Sequence, residues 1–428
     1  MHFHSPAPLP THAAAPAPRF GDAQARALAD ALCAAAGHVA DAELTRYLVR
    51  LFASLPHAPG DLVQVLSQRG DEIAEAVEKD ARDSDLHTLP DQFAALLSVV
   101  ETRAGDPAAQ PWLDVSAFIE AKKRTGTGAG ERTDADKDHA RFLNKVMGAG
   151  MMRRSQPAAA PLQLMGLRER FPNFERPIRF LAEQGAYARL RGMPFQPVPI
   201  LLAGPAGCGK TSFAAALAEL LGSRSEVLNM ASQTCGFSLG GMDRGWSSAR
   251  PGLVFEALLH GTTLSPVILL DEIDKTASEA RSDPLGPLYT LLEPRSARTF
   301  RDEYAGFPVD ASQVVWLATA NDTAAIPAPL LSRFKVFEIA PPSGADLLAI
   351  AESMLAELGA GLPQAPRRLP PAWHARLAAC SVRDLRIGLQ EALGRAALRA
   401  VSDGAALTLD DQDLVVAAPG ARAPMGFR

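Results

Sequence analysis

The chain has 428 residues, 47% hydrophobic and 21% charged, and 43 Lys and Arg against 48 Asp and Glu leave a net charge of −5. That length accommodates two or three domains with a sizeable core, and the composition is that of a globular protein rather than a disordered or collagen-like chain. The acidic balance excludes a global basic field for nucleic acid or membranes, and no apolar run reaches the roughly 20 residues of a membrane-spanning helix.

The start, Met-His-Phe-His-Ser-Pro, lacks the basic-then-apolar pattern of a signal peptide. Cys33, Cys208, Cys235 and Cys380 form no CxxC pair. They read as reduced thiols, and the expected location is cytoplasmic. Residues 1–20, rich in Pro, Ala and His, read as a disordered tail. Residues 21–150 read as an N-terminal all-α domain. Leu28 and Leu32, then Leu48, Leu51, Phe52 and Leu55, recur at helical spacing. The acidic run Asp71–Glu78 reads as a solvated helix face, and Thr125–Gly130 as a flexible interruption.

Residues 151–161, a run of Arg, Ser, Ala and Pro, read as a linker. From 162 to 340 apolar runs at Val198–Leu202, Val267–Leu270, Val314–Ala318 and Val336–Ile339 alternate with helical stretches. That alternation predicts an α/β core, a parallel sheet with helices on both faces. Residues 341–418, with helices over Ala345–Leu358 and Val382–Val401, read as a helical lid, and 419–428 as a tail.

The strongest local signal is Gly204-Pro205-Ala206-Gly207-Cys208-Gly209-Lys210-Thr211-Ser212, set between a buried strand and a helix that Gly222 ends. Such a P-loop curls its N–H groups onto the phosphates of ATP, adds the positive end of the helix and supplies Lys210 as a mobile charge. The Thr211 hydroxyl is the expected ligand of Mg²⁺, together with Asp271 at the tip of Val267-Ile268-Leu269-Leu270-Asp271-Glu272. Glu272 then faces the attacking water. Asn321, after Val314–Ala320, either orients that water or caps the following turn, and orientation is favoured beside such neighbours. Arg333, exposed before the last strand, is placed to reach a neighbouring subunit's γ-phosphate. Cys208 within the loop is either an oxidisable thiol or a packed one, and packing is favoured.

Together these motifs resemble the AAA+ ATPases, and in detail the ATPase part of the Lon protease family, over about Leu164 to Val415. Leu269-Leu270-Asp271-Glu272-Ile273-Asp274-Lys275, Asp283-Pro284 through Glu293, Phe300–Tyr304, Ala318–Asn321 and Ile326–Arg333 follow in the family's order. The resemblance implies that Asn321 is the first sensor, Arg333 the arginine finger and Arg383, in Ser381-Val382-Arg383-Asp384-Leu385, the second sensor on the lid. It implies a homo-oligomeric ring, expected to be a hexamer. Gly241–Gly252 resembles the pore loop that grips unfolded polypeptide, with Trp246 in the aromatic place; the other reading of Trp246 is a packed anchor.

The sequence departs from that pattern at several points. No protease domain follows the lid, so no peptide cleavage in cis is expected. The N-terminal region does not match the family's substrate-binding domain. Leu164-Met165 stand where aromatic or His residues often flank adenine, and Ile387 replaces a charged residue. The expectation is an ATP-hydrolysing ring that remodels or threads a protein, engaging it through the N-terminal domain and Trp246. The alternatives are a nucleic-acid loader, for which only clusters such as Lys122-Lys123-Arg124 and Arg153-Arg154 speak, and a slow nucleotide-gated scaffold.

Overall fold

The computed structural model describes residues 19–35, 42–55, 64–66, 69, 72, 73, 75–77, 79, 89–106, 108–126, 133–157, 159–233, 235–276, 283–362, 366, 368–378, 380–404 and 406–415. The expected tails lie outside these residues except for Arg19 and Phe20, and Phe20 is buried rather than part of a tail. Much of the Gly-rich interruption and part of the acidic run also lie outside. Two compact units are present: Met1–Pro111 with Val115–Met152, and Trp112–Asp114 with Arg153–Arg428.

The first unit is mostly helical among its described residues, but the short strand Ala109–Pro111 departs from the expected all-α domain. Its helices are α1 (Asp22–Ala35), α2 (Ala42–Ser54), α3 (Leu89–Gly105), α4 (Val115–Gly126) and α5 (Asp134–Ala149). The apolar positions read at helical spacing, Leu28, Leu32, Leu48, Leu51, Phe52 and Leu55, are all buried. Helix α1 packs on α2 and α3, and α4 on α3 and α5. Thr133 starts α5 with a capping box, its side chain bonding Asp136 while the Asp136 carboxylate accepts the Thr133 N–H.

The second unit is built on a five-stranded parallel sheet: β1 (Ile200–Ala203), β2 (Ser225–Asn229), β3 (Val267–Asp271), β4 (Val315–Ala320) and β5 (Lys335–Glu338), in the order β2-β3-β4-β1-β5. Four of these lie on the expected runs. The edge strand β2 was not foreseen, because its residues alternate between exposed and half-buried and carry no apolar run. The central strands β1 and β4 bury every position, as sheets covered on both faces do.

On one face Ile200, Leu202, Leu269 and Leu317 meet α6 (Pro161–Arg170), α7 (Glu175–Leu190) and α8 (Lys210–Leu221). Alternate residues such as Leu201, Ile268 and Trp316 are buried on the other face. Helices α10 (Gly344–Leu358) and α11 (Val382–Asp403) close a separate cluster around Trp373, Leu385 and Leu389. Ser343 and Ser381 start them, each accepting the N–H of an Asp three residues on. No helix among the described residues is long and apolar enough to cross a membrane.

Candidate functional site

Parallel strands present their carboxyl ends on one edge, where β3 ends in Asp271 and β1 and β4 run directly into Gly204 and Asn321. The loop after β1 leads into α8, which starts at Lys210 itself. Gly207 (φ 83°) and Gly209 (φ 97°) hold left-handed conformations that glycine supplies without strain. A Cβ on Gly204 would stand 2.3 Å from the Ile339 carbonyl oxygen, so the loop enters against the end of β5 where no side chain fits. Gly222 (φ 60°) ends α8 as expected.

Lys210 is buried, and its Nζ donates to the Gly204 and Pro205 carbonyls at 2.6 and 3.0 Å and to Asn321 Oδ1 at 3.3 Å. Thr211 Oγ1 donates to Asp271 Oδ1 at 3.4 Å. The Cys208 thiol is buried and donates to the Pro205 carbonyl at 3.2 Å. Burial pushes it above the usual thiol range, outweighing the opposite pull of Lys210. Packing, not reactivity, is what the loop offers it.

Register explains the next contacts. Leu270 of β3 pairs with Ala318 of β4, so one step further sets Thr319 beside Asp271. Thr319 Oγ1 donates to Asp271 Oδ1 at 2.6 Å and accepts the Glu272 N–H at 2.9 Å. Sequence reading passed over Thr319; the available signal was a polar residue inside an otherwise apolar buried strand. Glu272 is, among the described residues, the one non-glycine with positive φ (57°), and its carboxylate is ion-paired with Lys275. That pairing raises the Lys275 pKa.

A cleft of about 400 Å³ opens here, within the roughly 300–1,000 Å³ typical of small-molecule sites. Ala206, Gly207, Gly209, Lys210, Thr211, Ser212, Asp271, Glu272 and Asn321 line it, and Arg383 and Ile387 face them from α11. Gly204, Pro205 and Cys208 do not line it. Nor does Leu164, which is fully buried in the core with Met165 packed on that cluster. The apolar wall comes instead from Met354, Val382 and Ile387. Glu357 of α10 ties the lid down, accepting from Arg386 of α11 at 3.0 Å and from Arg170 of α6 at 3.2 Å.

Two expected positions lie apart from the cleft. Arg333 is half-buried rather than exposed, because its Nη1 donates to the Pro329 carbonyl at 2.5 Å and its guanidinium lies 5.5 Å from the Tyr289 ring centre. Trp246 is 63% exposed in the turn of the 241–252 loop, so it is not a packed anchor. The base of that loop is held by Asp302, fully buried, which accepts the N–H groups of Gly252 (2.8 Å), Tyr304 (3.0 Å) and Ala305 (3.0 Å).

The pair Arg153-Arg154 is not a free basic cluster. Arg153 is buried in the second unit and donates to the Leu258 and Leu259 carbonyls at 3.3 and 2.8 Å. These close the last turn of α9 (Leu253–His260). Residues 151–161 therefore contain a built structural contact and are not wholly linker.

Residues 200–341 match the family described as "ATPase family associated with various cellular activities (AAA)". The chain is 32% identical over 236 residues to "Lon protease homolog 2, peroxisomal" of Pichia angusta, covering 54% of this chain and 24% of that one. It is 37% identical over 175 residues to "Lon protease 2" of Sorangium cellulosum (strain So ce56), covering 41% and 22%. It is 34% identical over 257 residues to "Lon protease" of Mycolicibacterium smegmatis, covering 56% and 33%. The chain thus spans a third or less of the length of these relatives. Strand order, P-loop and acidic strand tip fit these alignments: residues 200–341 match the AAA family, and the α/β part of the chain is similar to the corresponding part of these Lon proteases.

Proposed function

We propose that this chain hydrolyses ATP with Mg²⁺ and couples turnover to remodelling or threading a protein, acting as a homo-oligomeric ring of six copies in the cytoplasm. The observation that supports this best is the convergence of Lys210, Thr211, Asp271, Glu272, Asn321 and Arg383 on one cleft. The Thr211 hydroxyl and the Asp271 carboxylate lie within 3.4 Å of each other, a hard-oxygen pair of the kind Mg²⁺ shares with phosphates. Thr211 and Asp271 would hold the ion, which would supply charge neutralisation to the phosphates when bound.

Lys210, released from the Gly204 and Pro205 carbonyls, binds the phosphates. Glu272 exchanges its Lys275 partner for the water that attacks the γ-phosphate in line, and Asn321 orients that water. Arg383 senses the nucleotide from the lid. Arg333, seated away from its own cleft, serves a neighbouring copy. The exposed Trp246 fits a contact with polypeptide, and the N-terminal helical unit is the second candidate surface for a protein partner. Peptide cleavage is assigned to none of these residues.

The test is ATP turnover by the protein and by Glu272→Gln, with and without casein as an unfolded protein. Turnover that casein stimulates and Glu272→Gln abolishes is expected. Turnover indifferent to casein but stimulated by DNA would replace remodelling with a nucleic-acid role, and nucleotide binding without turnover would leave a scaffold.

A further inference from the structure

Resting on the hydrolysis proposed above, we infer that Asp274 is a positioning residue that sets Asn321 against Lys210. Asp274 lies in the short 3₁₀ turn Ile273–Lys275 directly after Glu272. Its Oδ2 accepts the backbone N–H groups of Asn321 and Asp322 at 3.0 and 3.1 Å. These are the first two residues beyond β4. Asn321 Oδ1 in turn accepts from Lys210 Nζ at 3.3 Å. One carboxylate oxygen thus joins the turn carrying Glu272 to the strand end carrying Asn321, and through it to the phosphate loop.

Three further observations separate this grip from ordinary turn chemistry. The turn after β4 already has its own local cap, since Asp322 Oδ1 accepts the Ala324 N–H at 2.9 Å. Asp274 is therefore not required to form that turn; it ties it to a segment 47 residues away in sequence. The other oxygen, Asp274 Oδ1, is buried and makes no hydrogen bond among the described residues. A buried unpaired oxygen is costly, so the carboxylate is held there by what Oδ2 does. Finally, the segment is strained at its start, where Glu272 takes φ 57° and ψ 48°, a left-handed conformation that costs a β-carbon residue on the order of 1 kcal/mol.

Both ends of the strained segment are tied to the same strand end. Glu272 N–H donates to Thr319, and Asp274 accepts from Asn321. Glu272 and Asn321 are therefore held in one frame, and a shift in either displaces the other. Asp274 reaches no lining position of the cleft, so its effect passes through Asn321.

The experiment compares Asp274→Ala, which removes the acceptor, with Asp274→Asn, which keeps one acceptor oxygen and places its amide where Oδ1 already has no partner. Turnover kinetics, affinity for a fluorescent ATP analogue and amide hydrogen exchange at residues 321 and 322 are measured on the full chain. For Asp274→Ala the expectation is a kcat loss on the order of 10- to 100-fold, with KM and analogue affinity within about twofold. Exchange at 321 and 322 should accelerate. Asp274→Asn should keep kcat within about threefold and retain protection, because acceptor geometry rather than charge is what Oδ2 supplies.

An unchanged kcat in Asp274→Ala would overturn the inference. So would Asp274→Asn failing as badly as Asp274→Ala, or loss of analogue binding in parallel with kcat, which would mark a collapsed site. If the unaltered protein has no turnover, the hydrolysis reading fails by itself, and exchange decides the tie. Acceleration in Asp274→Ala but not in Asp274→Asn upholds it, and equal exchange in all three proteins removes it.

Discussion

The hydroxyl of Thr319 stands 2.6 Å from Asp271 Oδ1, joining residues 48 apart in sequence at the carboxyl edge of the sheet. Because the same oxygen accepts the Glu272 N–H at 2.9 Å, a single buried hydroxyl orients both acidic residues. Its donor and an acceptor lone pair are both in use, leaving it little freedom to turn. Thr211 Oγ1 meets the same Asp271 oxygen from the phosphate loop. Three segments therefore depend on one strand register.

Thr319→Val keeps the shape of the side chain and removes the hydroxyl. Asp271 loses its shortest donor, and the Glu272 N–H loses its acceptor. A fall in kcat on the order of 10-fold or more is expected, with nucleotide affinity little changed, whereas Thr319→Ser should recover most of the loss. Steady-state turnover with analogue binding checks this. Equal rates for the Val and Ser variants would remove the orienting role.

Asp302 predicts a pH dependence of stability. Burial pushes its pKa up from 3.8 to about 6, aided by the neighbouring Glu303 charge, although its three N–H donors pull the other way. The folded state therefore holds a proton that the unfolded state releases near pH 4. This contribution is complete below about pH 4 and is lost as pH rises through 6. The change is on the order of 2–3 kcal/mol at most. Urea unfolding at pH 4.5 and 7.5 should show a part of the pH dependence that is missing in Asp302→Asn. The variant should also loosen the base of the Trp246 loop, because its amide offers N–H groups where the loop needs acceptors. Identical pH dependence in both proteins would sink the prediction.

Arg153 predicts a structural loss. Arg153→Met keeps much of the apolar stem but removes the guanidinium, which lies 5.4 Å from the Trp112 ring centre and donates to the Leu258 and Leu259 carbonyls. Destabilisation of about 3 kcal/mol is expected, the cost of leaving buried acceptors of a charged donor unpaired. Chemical denaturation measures it. A variant as stable as the parent, but weaker in retaining DNA, would return Arg153 to the basic cluster that its burial now argues against.

Much of the candidate site was legible because its parts are local in sequence. A glycine-rich turn between a buried strand and a helix has few foldings, and Gly204–Ser212 adopts the expected one. The strand tip at Asp271-Glu272 and the helical patterns that became α10 and α11 are equally short-range. Edge strand β2 was hidden for a related reason: it has one solvated side and so lacks the apolar run that marks a buried strand.

What the amino-acid order determined by itself was therefore the set of chemical parts: the P-loop, the acidic tip, Asn321, and the helices that follow Pro342. Tertiary structure alone decided which parts touch. Parallel pairing brings Thr319 to Asp271 and Asp274 to Asn321, and no spacing along the chain encodes a register between strands. It also decided that Arg153 turns inward to cap a helix, while Arg333 rests on Tyr289 outside its own cleft. The physical reason is the same throughout. Local conformation follows from dihedral preference and side-chain pattern over a few residues, whereas these contacts exist only once distant strands and helices have packed.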